Sequence, residues 1–140
     1  MVYVDTSVIV PLLTPEPASD RVTAWFASLA GVPVSADWLL TEFASAIAIK
    51  LRIGQLSASG AEAVHEEFRV LTAAGVRLAP VSRAAFQAAA EMAGIPDHGL
   101  RSGDSLHLAV AREMGATTIA TLDRVMTDNA RRMGMIPVEF

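Results

Sequence analysis

Short apolar runs alternate along the chain with longer stretches in which apolar residues recur every three or four positions. The short runs at 2–4, 32–35, 76–81, 117–122 and 136–138 are rich in β-branched residues and predict five strands. The longer stretches predict helices between the strands. Strands that alternate with helices form parallel β-α-β units, so we predict a three-layer α/β/α sandwich with a central, mostly parallel sheet.

The helix boundaries follow from residues that start or stop helices. The predicted helices end at Gly31, Gly54, Gly75, Gly94 and Gly115. Asp37 is the predicted N-cap of the second helix, whose apolar stripe contains Leu39, Leu40, Phe43, Ile47 and Leu51. The most apolar helix runs from about 104 to 114, after the loop at 95–103. No linker or repeat separates these elements, so we expect residues 1–140 to form one domain.

Composition limits the possible functions. With 140 residues, of which 52% are hydrophobic, the chain can bury a sizeable core. Eleven basic and fifteen acidic residues give a net charge of −4, which excludes a strongly cationic body as the basis of nucleic-acid binding. The absence of cysteine excludes a disulfide framework, a thiolate zinc site and a cysteine nucleophile. Without a basic leader or a long apolar span, a cytoplasmic protein with no membrane anchor is expected.

Four acidic residues fall at the ends of predicted elements, where ligand sites of α/β sheets gather. Asp5 follows the first strand and Asp123 the fourth, Glu42 lies early in the second helix, and Asp104 opens the most apolar helix. Each acid alone has a simpler interpretation as a cap, a turn residue or a solvated helix residue. Together they would repel one another unless a cation or shared protons offset the charge. Oxygen ligands without sulfur favour Mg²⁺ or Mn²⁺.

Several segments that carry these acids resemble one family. They are VYVDTSVIV at 2–10, Glu42, LRSGDSLHLA at 100–109 and TLD at 121–123. In this order, over nearly the whole chain, they resemble the PIN domain and, within it, the VapC toxins of bacterial type II toxin–antitoxin pairs. The pairing of the segment at 100–109 with that at 121–123 is the most specific part, whereas the opening Asp-Thr-Ser is weak alone.

The resemblance implies a Mg²⁺-dependent endoribonuclease that forms a homodimer and is neutralised by a VapB-like antitoxin. Its catalytic acids fall on Asp5, Glu42, Asp104 and Asp123, and Asp5, Asp104 and Asp123 would hold the metal. Glu42 has the loosest local pattern, and its alternative, Asp37, is better explained as the helix cap. Thr6 and Ser7, as hydroxyl donors, and Arg101 and Arg124, beside the acidic motifs, are the predicted substrate contacts.

Three other functions remain open from the residues. An aspartate-based phosphatase would use Asp5 as its nucleophile, but it expects a second aspartate where Ser7 stands. A phospho-receiver domain needs a lysine at a late strand end, whereas Lys50 lies within a helix. A non-catalytic interaction module would suit the apolar composition, and the helices at 39–51 and 64–71 are the predicted contact surfaces. His107 lies one turn after Asp104, so that a ligand role is geometrically possible, but its apolar neighbours favour a packed or hydrogen-bonded core histidine.

Overall fold

The computed structural model describes residues 1–140 and contains five strands and seven α-helices. The strands are β1 (Val2–Val4), β2 (Val34–Ala36), β3 (Arg77–Ala79), β4 (Thr118–Ala120) and β5 (Ile136–Pro137). The helices are α1 (Thr6–Leu13), α2 (Ser19–Ala27), α3 (Trp38–Arg52), α4 (Ala58–Val70), α5 (Arg83–Ala93), α6 (Ser102–Glu113) and α7 (Arg124–Arg132). A π-helical turn (Leu71–Gly75) continues α4, and a 3₁₀ turn (Pro96–His98) precedes α6. None of the helices has the length and apolar character needed to cross a membrane.

The five strands form one parallel sheet in the order β3-β2-β1-β4-β5. Tyr3, in the central strand β1, pairs with Val34 on one side and with Ile119 on the other. Because all strands run the same way, the carboxyl ends of β1, β2 and β4 lie at the same edge of the sheet. This edge is where Asp5 and Asp123 follow their strands.

Two apolar clusters cover the two faces of the sheet and confirm the predicted three-layer architecture. One cluster joins Tyr3 and Val34 to buried residues of α5, α6 and α7. The other joins Val4 and Ala120 to buried residues of α1, α2, α3 and α4, with Phe43 stacked on Phe68 at a centroid distance of 3.8 Å. Burial of these clusters against both faces is the main favourable contribution to folding.

Helix α1 is the main element that the apolar pattern does not predict. Its residues Val8–Pro11 are all buried, so no polar face reveals a helical period. Pro11 lies inside the helix and supplies no N–H donor, while the Asp5 side chain caps the first turn by accepting from the Ser7 amide. The helix exists because it fits between the sheet and three other helices, contacting α2, α3 and α4.

Three details of the predicted helices are wrong. Leu40 and Leu51 are 43% and 42% exposed, so the buried stripe of α3 is narrower than the periodicity indicates. Asp37 precedes α3, but its backbone is already helical and its side chain makes no capping hydrogen bond. Helix α6 begins at Ser102, which places Asp104 at the third helical position and not at the start.

Candidate active site

Asp5 is a buried carboxylate at the carboxyl end of the central strand. It is 3% exposed, and the hydroxyl and backbone amide of Ser7 both donate to its Oδ1, at 2.6 and 3.0 Å. The Thr121 hydroxyl donates to Oδ2 at 2.8 Å. Burial raises the pKa of the Asp5 carboxyl above its ordinary value, although His107, Ser7 and Thr121 act in the opposite direction. The anion is therefore held in place by neutral donors but poorly compensated in charge.

Thr121 links Asp5 to the second aspartate of this edge. Its hydroxyl oxygen accepts from the Asp123 amide at 3.0 Å while its proton goes to Asp5. Asp123 lies just beyond β4, and its Oδ1 accepts from the Met126 amide at 2.8 Å, which caps α7. The cap fixes the position of the Asp123 carboxylate at the same edge of the sheet as Asp5.

Asp104 approaches this edge from the first turn of α6. Its Oδ2 accepts from the Arg101 amide at 3.3 Å, a contact typical of an acidic residue at the third helical position. Burial raises the pKa of the Asp104 carboxyl, and the negative charges of Asp123 and Glu42 raise it further. The repulsion shows that these acids share one electrostatic environment.

Glu42 reaches the same cluster from α3. Its Oε2 accepts from the Thr6 hydroxyl and from Nε2 of His107, the latter at 2.8 Å. Burial acts to raise the pKa of the Glu42 carboxyl, but the hydrogen bond from the His107 imidazole, followed by Thr6 and Trp38, brings it below the ordinary value. Glu42 is therefore held as an anion, in contrast to Asp5 and Asp104.

Gly103 allows the backbone of α6 to approach Glu42 closely. A Cβ at this position would collide with Glu42 Oε1 and would lie 3.1 Å from the indole nitrogen of Trp38. A side chain at this position would displace the Glu42 carboxylate, so glycine leaves room for the position that Glu42 occupies. The buried indole N–H of Trp38 lies near the Glu42 carboxylate and lowers its pKa, although it makes no hydrogen bond of ordinary geometry.

The donor set has the chemistry of a site for a hard divalent cation. It consists of carboxylate oxygens without thiolates, and neither lysine nor arginine forms an ion pair with any of the four acids. Asp5 Oδ2 accepts a single hydrogen bond, which leaves it a lone pair for a further ligand. No three His, Asp or Glu side chains lie close enough to one another to hold a metal ion as they stand. A metal shared by Asp5, Asp104 and Asp123 therefore stays a prediction.

Comparison with known proteins identifies the family. The PIN domain model matches residues 2–132. The chain belongs to the PIN domain family. The matched residues include all four acids described above.

Solved structures share this fold at low sequence identity. VapC20 of Mycobacterium tuberculosis, a toxin that cleaves the sarcin-ricin loop, is 20% identical with a TM-score of 0.74, covering 92% of this chain and 95% of its own. FitAcB of Neisseria gonorrhoeae is 22% identical with the same TM-score, covering 99% and 97%. VapBC2 of Rickettsia felis, bound to a DNA fragment from its promoter, is 13% identical with a TM-score of 0.66, covering 100% and 99%. No curated protein sequence matches the chain significantly.

The other residues of the predicted site in this PIN domain lie around the acids. Thr6 and Ser7 each donate their hydroxyl proton to a carboxylate, Thr6 to Glu42 and Ser7 to Asp5. Arg101 and Arg124 are exposed, at the starts of α6 and α7. Contact of these four residues with a substrate stays a prediction.

Sequence reasoning missed three residues that arrange the acids. Thr121 joins Asp5 to Asp123, Gly103 admits Glu42, and His107 binds Glu42. For His107 the prediction of a packed or hydrogen-bonded core histidine includes a hydrogen bond but not its partners, and its position one turn after Asp104 is the signal for a role beside the site. For Thr121 and Gly103 the sequence offers no comparable signal, because their partners are far away along the chain.

Proposed function

We propose that this PIN domain is a Mg²⁺-dependent endoribonuclease of the VapC toxin type that hydrolyses phosphodiester bonds of RNA, with Mn²⁺ as a substitute. The observation that carries the proposal is the group of four carboxylates at one sheet edge with no lysine or arginine paired to them. Such a group is stabilised when a divalent cation binds. PIN-domain relatives are typically ribonucleases, and VapC20 supports a structured RNA as the substrate class.

The four acids share two tasks in the proposed reaction. Asp5, Asp104 and Asp123 would hold the cation, with Ser7 and Thr121 orienting Asp5. When bound, the cation would lower the pKa of a water molecule and reduce the charge on the phosphate. Glu42, held as an anion by Thr6 and His107, would orient the attacking water through its other oxygen.

RNA binding must overcome the net charge of −4. The exposed Arg101 and Arg124 begin the helices that carry Asp104 and follow Asp123, so both lie beside the acids. Guanidinium groups at these positions would bind the phosphates that flank the cleaved bond. The bound cation would offset the carboxylate charges at the centre. Local charge, rather than the net charge of the chain, would then determine binding.

Cleavage of a defined RNA tests the catalytic proposal. The purified chain should cut RNA with Mg²⁺, should be inactive with EDTA, and should lose activity in Asp5→Asn and Glu42→Gln. Asp20→Asn is the matched control, because Asp20 is an exposed acid in the first turn of α2. Sequencing of new 5′ ends identifies the RNA. Full activity of Asp5→Asn would contradict the proposal, and trapping of Asp5 by beryllium fluoride would instead support the phosphatase alternative.

We further propose a homodimer and a VapB-like antitoxin partner in the cytoplasm. On the helix predicted at 64–71, Val64 and Phe68 are buried in the core, whereas Val70 is 62% exposed. Further exposed apolar side chains lie on α3 and on α5, where Phe86 is 51% exposed beside a groove of about 320 Å³ that Trp38 and Leu106 also line. Patches of this kind mark protein contacts. The VapBC2 complex supports an antitoxin partner, and so does the FitAB complex bound to a DNA fragment, which is 22% identical to this chain with a TM-score of 0.71.

Inhibition by the antitoxin would have an electrostatic basis. A basic antitoxin side chain that reaches Asp5, Asp104 or Asp123 would compete with Mg²⁺ for the same carboxylates. Co-expression with the adjacent open reading frame should therefore yield a complex that does not cut RNA, and excess Mg²⁺ should weaken the inhibition. A neighbour that neither co-purifies nor inhibits would contradict this part of the proposal.

A further inference from the structure

The buried His107 side chain makes more polar contacts than packing in the core needs. It is 1% exposed in the middle of α6, and both ring nitrogens have polar partners. Nδ1 lies 2.7 Å from the Tyr3 hydroxyl, and Nε2 lies 2.8 Å from Glu42 Oε2. The Tyr3 and His107 rings meet edge to face at 5.7 Å. The imidazole thus bridges the middle of the central strand and the catalytic cluster.

The partners of the ring determine where its proton lies. An ionised Glu42 carboxylate can only accept, so Nε2 of His107 must carry a hydrogen. In the neutral ring Nδ1 then carries no hydrogen, and it accepts from the Tyr3 hydroxyl 2.7 Å away. Hydroxyl, imidazole and carboxylate therefore form one directed chain of hydrogen bonds. The Tyr3 hydroxyl and both nitrogens of the His107 ring each have a hydrogen-bond partner, and Glu42 is the only charged group in the chain of bonds.

The two oxygens of the Glu42 carboxylate have different surroundings. Thr6 and His107 both bind Oε2, whereas Oε1 lies against Gly103 at the start of α6. Two donors on one oxygen fix the rotation of the carboxylate. Oε1 is thereby kept beside Gly103, the residue before Asp104.

We propose that His107, oriented by the Tyr3 hydroxyl, is a positioning residue that fixes the Glu42 carboxylate for the reaction. The kinetic part of this inference rests on the proposed ribonuclease function. The hydrogen-bond chain itself does not depend on that function. Partners in this second layer of contacts commonly change activity about 10–100-fold when they are removed.

Kinetics of position-107 variants test the role. His107→Leu should lower kcat about 10–100-fold with little change in the KM for RNA, whereas His107→Gln should recover much of the loss because its amide can donate to Glu42. Tyr3→Phe should give a smaller loss, since the bond between His107 and Glu42 remains. Leu108→Val is the matched control: it disturbs a fully buried neighbour on the same helix and should lower stability without lowering kcat.

Nitrogen-15 spectra of the histidine rings, recorded on the metal-free protein, test the geometry without any activity. His107 should show a protonated Nε2 and an unprotonated Nδ1, and Glu42→Gln should move its Nε2 proton signal while those of His65 and His98 stay in place. A protonated Nδ1, or an unmoved signal, would overturn the hydrogen-bond chain. A kcat of His107→Leu equal to that of Leu108→Val would overturn the positioning role. If the wild-type protein cuts no RNA, the ribonuclease proposal fails, but the spectra still test whether Tyr3, His107 and Glu42 form the hydrogen-bond chain.

Discussion

Replacement of Asp5 by asparagine should stabilise the metal-free protein while it abolishes RNA cleavage. The amide keeps the shape of the carboxylate and can accept both bonds from Ser7. Thr121, which donates to Asp5 in the wild type, can turn its proton toward Met126 Sδ, 3.9 Å away, and accept from the new amide. The substitution therefore removes a poorly compensated buried charge with little loss of hydrogen bonding.

The pH dependence gives the sign and size of the effect. The pKa of Asp5 is raised in the folded state above its ordinary value of 3.8. Between the ordinary pKa and the folded pKa, the folded protein therefore binds more protons than the unfolded chain. Stability is fully present below the ordinary value and falls as pH rises through the folded pKa. One proton limits the slope to about 1.4 kcal/mol per pH unit. The stability difference between Asp5→Asn and wild type should therefore grow with pH and reach a plateau.

Magnesium should reverse the order of stability. Binding to the folded wild type adds about 2.7 kcal/mol when the ion is present at 100 times its Kd, and Asp5→Asn should gain much less. Urea unfolding between pH 4 and 8, with and without Mg²⁺, measures both effects, and Asp20→Asn serves as the exposed-acid control. If metal-free Asp5→Asn is less stable than wild type at neutral pH, the argument from burial is wrong. If Mg²⁺ stabilises both equally, Asp5 does not bind the ion.

Three further substitutions have defined outcomes. Phe43→Ala removes a fully buried ring stacked on Phe68 and should cost about 3–5 kcal/mol in thermal or urea unfolding; a loss below 1 kcal/mol would show that the stack adds little. Gly103→Ala should lower cleavage by about 100-fold through displacement of Glu42, with a nearly unchanged melting temperature, and unchanged cleavage would refute the steric argument. Phe86→Arg should convert the proposed dimer into a monomer in light scattering, and a dimer that persists would exclude the α5 surface.

The sequence by itself determined the architecture and the positions of the acids. Alternation of strand and helix patterns is a local property, and it was sufficient to predict the three-layer sandwich. The order of the motifs around Asp5, Asp104 and Asp123 identified the PIN family before any geometry. Each of these acids lies at or near an element boundary, which patterns of apolar residues, caps and glycines reveal.

Only the tertiary structure decided how the acids are held and which of them ionise readily. Asp5 and Thr121 are 116 positions apart in sequence, and Glu42 and His107 are 65 apart, so no local pattern could pair them. The same separation explains why the sequence predicts a packed or hydrogen-bonded His107 without naming its partners, which come from β1 and α3. Burial and hydrogen bonding then give the carboxylates different pKa values. Those of Asp5 and Asp104 are raised, whereas that of Glu42, which has two strong donors, is lowered. Local sequence places charged groups on elements, whereas desolvation and long-range hydrogen bonds, which set their chemistry, exist only once the elements have packed.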